Sequence, residues 1–125
     1  MNTVKKPLLR TLSFAEKGRV FHLLDEIADY LSDLKEHKIT EGKLENAYWK
    51  NPKDDDVLAA ERLHNLIEDY LEMESLVSNT VLLKNSRVFD IKIKVQLFLK
   101  TLRLWEDFKE DGIRLLRRLA VKSTN

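Results

Sequence analysis

Glu61-x-x-His64 is the pair in this chain whose residue types and spacing come nearest to a reactive site. A carboxylate and an imidazole three residues apart on a helix point the same way. Helical bundles use that spacing to hold a carboxylate-bridged pair of iron ions. Glu68 extends the grouping by two turns, and His22 with Glu26 offers a second one elsewhere. The chemistry needs two such motifs and two further glutamates, all facing the core. Only one motif is present. Its helical angles turn Glu61 and Glu68 away from the apolar stripe of their own helix, and His22 falls amid acidic neighbours. The expectation is solvated histidines, no metal and no cofactor.

Other catalytic constellations have less support. There is no cysteine, which excludes disulfides, thiolate chemistry and cysteine-ligated metals together. The glycines, Gly18, Gly42 and Gly112, are isolated, so neither a phosphate-cradling loop nor a Gly-x-Ser-x-Gly elbow can be built. Without a nucleophile, base and metal set, the chain is expected not to be an enzyme. The run Asp54-Asp55-Asp56 reads as the start of a helix, because aspartate is a good N-cap and first-turn carboxylates complement the helix dipole.

A basic series gives a different kind of lead. Arg114, Arg117 and Arg118 share one helix face, and Lys92, Lys100 and Arg103 precede them along the same helix. Such a stripe suits phosphates. However, the pI is 7.9, Glu106, Asp107 and Glu110 interrupt the series, and Phe98, Trp105 and Phe108 fall on the buried side rather than beside the arginines. The same surface equally suits an acidic protein face.

These residues need helices to place them. Ser13 and Glu16 have capping-box spacing, and Val20, Leu24, Ile27, Leu31 and Leu34 follow at alternating steps of four and three, with Leu23 and Tyr30 widening the stripe. Residues 14–37 are read as one amphipathic helix whose back carries Asp25, Glu26, Asp29, Asp33 and Glu36. Thr40 is a candidate cap for a short helix that must end before Asn51-Pro52. A helix from about 55 to at least 77 has Ala60, Leu63, Ile67, Tyr70 and Leu71 inward, Leu66 and Met73 beside them, and Glu61, Glu68 and Glu72 outward. Ser78-Asn79-Thr80 is a weak break, and Asn85-Ser86 is a stronger one.

The stretch after Ser86 supports two readings. Phe89, Ile91, Ile93, Val95 and Leu97 alternate with Asp90, Lys92, Lys94 and Gln96, which is a strand pattern, and with residues 80–84 it could close a hairpin. Yet Ile91, Val95, Phe98, Leu102 and Trp105 run on at helical spacing, and a lone hairpin would have no further strands to join. The helix is the preferred reading. Over residues 86–121 it would be ~54 Å long and would carry a second apolar stripe of Ile93, Leu97, Leu104, Phe108 and Leu115. The first long helix, at ~36 Å, cannot cover it all, so a second copy or another protein is expected on that stripe.

The expected fold is all-α, an antiparallel helical bundle of three long helices plus one short helix. It forms one domain over 13–122 after a flexible segment 1–12. Charge is segregated along the chain: net +4 over residues 1–20, −9 over 21–78 and +6 over 79–125. No apolar run is long enough to cross a membrane and no secretory signal is apparent in Met1–Leu12, so a cytoplasmic location is expected. The expected function is a non-catalytic protein-interaction module of the adaptor, inhibitor or antitoxin kind, using charge-patterned helix faces and self-associating. The alternative is a nucleic-acid-binding accessory protein acting through the basic C-terminal helix.

Overall fold

The computed structural model describes residues 9–40, 43, 47 and 54–102. Over them the chain is a helical bundle of α1 (Phe14–Glu36), α2 (Asp54–Val77) and α3 (Ser86–Thr101), with a 3₁₀ turn at Val81–Lys84. The only β pairing among the described residues is an isolated bridge between Arg10 and Thr80.

Local chemistry sets the helix ends. The Ser13 hydroxyl accepts from the Glu16 N–H at 3.1 Å, and Glu16 accepts from the Ser13 N–H at 3.0 Å, which completes the expected capping box. At its other end α1 closes in a Schellman turn. Lys38 N–H donates to Lys35 O and Ile39 N–H to Leu34 O, both at 3.1 Å. This requires Lys38 to adopt a left-handed conformation, φ 49°, at the position where glycine is usual. Asn79, φ 60°, ends α2 in the same region of backbone space. The Ser78-Asn79-Thr80 break is therefore a true terminus. Asn85 caps α3 by accepting from the N–H groups of Arg87 and Val88. The hairpin reading fails here, because Asn85-Ser86 starts a helix and residues 81–84 form a 3₁₀ turn.

Cross-helix pairs show how the elements run. Arg19, early in α1, meets Glu72, late in α2, while Asp33, late in α1, meets Arg62 in the first half of α2. These two helices point in opposite directions. Arg87 at the start of α3 meets Asp25 and Phe21, whereas Phe98 and Thr101 at its end lie beside Leu34 and Lys35, so α3 runs with α1. The core between them is apolar and dry: Leu23, Leu24, Ile27, Leu66, Met73, Val77, Val88 and Val95 are inaccessible to solvent. Burial of each large aliphatic side chain stabilises by about 1.5–3 kcal/mol.

Three expectations need correction or bounding. Leu71, assigned to the inner face of α2, is exposed. The buried line is Ala59, Leu63, Leu66, Tyr70, Met73 and Val77, at steps of four and three, and it leaves Leu71 beyond its rim. Residues 9–12, expected to lie outside the domain, are attached to it: Leu12 is buried, and Arg10 donates its N–H to Asn79 O at 2.5 Å. In the segment expected to hold the short helix, the Thr40 hydroxyl accepts from Lys43 N–H at 3.2 Å, the bond expected of a cap. Most of that segment, like everything after Leu102, lies outside the described residues.

Candidate protein-interaction surface

α3 is two-faced. Val88, Ile91, Val95, Phe98 and Leu99 turn inward. On the opposite side Phe89, Ile93 and Leu97 form a line at i, i+4 and i+8, 59%, 39% and 60% exposed. These are the residues that looked like one face of a strand, divided by the helix between inside and outside. Ile93 and Leu97 were expected to form an interface, and both stand on this open face. Phe89 belongs with them and was missed, although its spacing to Ile93 marks it. Leu104, Phe108 and Leu115, expected to continue the stripe, lie outside the described residues.

Charge surrounds the stripe unevenly. Arg87, Lys92, Lys94 and Lys100 lie on α3 against a single carboxylate, Asp90. Helical geometry puts Lys92 and Lys94 on opposite flanks of Ile93 and Lys100 close to its line. Lys94 pairs with Asp90 at 3.0 Å, and Arg87 pairs with Asp25 while lying 5.7 Å over the Phe21 ring. Of the expected basic series, Lys92 is half-buried and Lys100 exposed; Arg103, Arg114, Arg117 and Arg118 lie outside the described residues. Two shallow grooves border the stripe. One, of about 550 Å³, is lined by Ser86, Arg87, Phe89, Asp90 and Ile93. The other, of about 370 Å³, lies between α1 and α3.

The expected acidic face is largely engaged within the molecule. Asp25 pairs with Arg87, Asp33 with Arg62 at 3.2 Å and His37 at 3.3 Å, and Glu26 with His22 at 3.1 Å. Glu72 receives Arg19 Nε and Nη2 at 2.5 and 3.0 Å. This fork holds the Glu72 carboxyl below its ordinary range and the Arg19 guanidinium above its own. Asp29, Glu36 and Glu61 have no ion-pair partner among the described residues.

Asp69 sits in the same α1–α2 seam and behaves differently. One of its oxygens is buried with no hydrogen-bond partner among the described residues. Desolvation first, then the charges of Glu26, Glu72 and Glu68, push its carboxyl up to about 6 against the opposing pull of Arg19. Burial, and then Asp69 itself, also raise the Tyr30 phenol.

The histidines do not converge. The side chains of His22 and His37 are each 62% exposed, as a solvated reading expects, but that of His64 is only 12% exposed. Its Nε2 lies 3.4 Å from Glu68 and forms no hydrogen bond among the described residues, so this contact between neighbouring turns is electrostatic only when the imidazole is charged. Among the described residues no three His, Asp or Glu side chains assemble as a metal site. A partly open cavity bounded by Asp33, His37, Lys43, Asp55 and Arg62 measures about 40 Å³. The chain matches no family model, no curated protein and no solved structure.

Proposed function

We propose that this protein is a non-catalytic, cytosolic protein-interaction module whose docking face is the outward side of α3. The observation that carries the reading is the line Phe89, Ile93 and Leu97, directly opposite the buried line of the same helix. A helix needs only one apolar stripe to fold onto its core. A second stripe, exposed and rimmed by charge, is the surface composition that marks an interaction site. No helix among the described residues is long and apolar enough to cross a membrane. The surroundings favour a different protein over self-association, because a second copy would bring the same basic excess to the contact.

The test uses the full chain as bait in extract of its source cells, alongside Ile93→Glu and Leu97→Glu variants. Surface changes of this kind alter stability within about 0.5 kcal/mol, whereas Leu24→Ala in the core costs about 2–5 kcal/mol. A partner captured by the wild type and lost from both equally stable variants is the expected outcome. Undiminished capture by both, or a large loss of stability in either, would show that the stripe does something else.

A further inference from the structure

The groove of about 370 Å³ between α1 and α3 has a composition that specifies more than apolar contact. Its floor and walls are Leu34, Ile39, Leu97 and Phe98, and three lysines stand around it: Lys35 and Lys38 from the end of α1 and Lys94 from α3. Among the described residues no carboxylate lines it. Complementing the α1 dipole accounts for Lys35 and Lys38. It does not account for Lys94, which projects from the middle of another helix onto the same groove.

We propose that this groove docks an acidic amphipathic helix of a partner protein, with an apolar side chain over Leu97 and Phe98 and carboxylates against Lys35, Lys38 and Lys94. Leu97 closes the groove on one side and is also the last residue of the exposed α3 stripe. A partner helix lying on that stripe therefore meets Phe89 and Ile93 along the next ~12 Å, the length of eight helical residues. This is the helix-in-groove mode of recognition, in which spaced apolar anchors give affinity and flanking charges choose the partner. The Lys94–Asp90 pair does not block it. Both side chains are more than half exposed, and an exposed i, i+4 pair is weak enough for a partner's carboxylate to compete.

Two other occupants fit less well. A fatty acid needs a site enclosing about 70–90% of its surface, and a groove edged by the mostly exposed Leu97 is open. A second copy would oppose lysines to lysines.

The inference rests on the reading of α3 as a docking face, and the two fail separately. A fluorescent synthetic helix of about four turns, with leucines at i, i+4 and i+8 and glutamates on both flanks, is titrated against the full chain at low salt. Versions with glutamine or lysine in place of glutamate serve as comparison. The acidic peptide should bind about tenfold more tightly than the glutamine one. Lys35→Glu/Lys38→Glu should reverse the preference toward the lysine peptide. Lys94→Gln, away from the helix end, should weaken acidic-peptide binding without loss of helicity. Lys84→Glu, outside the groove, should change little, and Leu97→Glu should abolish binding. Failure of the acidic peptide to bind, equal binding of all three peptides, or indifference to the lysine changes would overturn the proposal. So would a dimer that excludes the peptide, or preferential uptake of oleate or anionic vesicles. Loss of partner capture with Leu97→Glu alongside indifference to the lysine changes would sink this inference while leaving the docking face intact.

Discussion

At Asp69 a single carboxylate carries a measurable cost. Among the described residues, an ionised group with one oxygen buried and unbonded, facing Glu26 across the seam and Glu72 and Glu68 on its own helix, favours its protonated form, and Arg19 opposes this. The folded state then binds the proton more tightly than the unfolded chain, whose carboxyl has its ordinary value of 3.8. Stability from this group is present in full below pH 3.8 and is lost as pH rises through about 6. Asp69→Asn removes the titration. Its advantage over the wild type should grow between about pH 4 and 6 and stay level above. The plateau should be on the order of 1 kcal/mol, because water still reaches part of the carboxylate and screens it. Urea denaturation of both proteins at several pH values checks this, and an advantage independent of pH would refute it. The Arg19–Glu72 fork one turn away has the opposite sign, since a lowered carboxyl gives stability that is lost as pH falls.

At the scale of the element, what was legible depended on whether a residue's signal was local. Ser13 and Glu16 announced α1 because a capping box is complete within four residues. The α1 stripe from Val20 to Leu34 was equally readable, because a seam at steps of four and three points one way along its whole length. The alternation from Phe89 to Leu97 was not decisive. A strand would have put all five apolar residues on one face, and a helix packed on one side and open on the other divides the same residues between core and surface. Only the neighbours of α3 settle which holds. Leu71 was misplaced for a related reason: it lies one residue from Tyr70 but about 100° around the helix. The docking groove was unreadable, because Lys35 and Lys94 meet only through tertiary packing. Lys38 supplies an element-scale prediction. It holds a left-handed conformation that glycine adopts without strain, in a Schellman turn whose other parts are complete. Lys38→Gly should raise stability by about 0.5–1 kcal/mol, read from the denaturation midpoint at unchanged slope. A destabilised variant would show that the lysine side chain contributes more to the turn than its backbone costs.

Across the molecule, the charge blocks separate into two uses. The acidic centre of the sequence is drawn into pairs with basic residues from each of α1, α2 and α3: Arg19 with Glu72, Arg62 with Asp33 and Arg87 with Asp25. These contacts suit one order and direction of helices and penalise others, so they act on specificity of assembly more than on its strength. All three join partly or largely exposed side chains, and such pairs contribute about 0–1 kcal/mol each. The strength comes from the dry core of leucine, isoleucine, valine and methionine, whose burial does not depend on ionic strength in the same way. Raising salt from about 50 mM to about 500 mM shortens the screening length severalfold and should lower the unfolding free energy by no more than about 1–2 kcal/mol. A loss of several kcal/mol would mean that the pairs hold the bundle together. Binding through Lys35, Lys38 and Lys94 should respond in the other proportion. Among the described residues those lysines make no cross-helix ion pair, so the same salt step should remove most of the advantage of an acidic partner over a neutral one while the fold persists. Measured together, the two salt responses separate charge used to order the helices from charge left over to choose a partner.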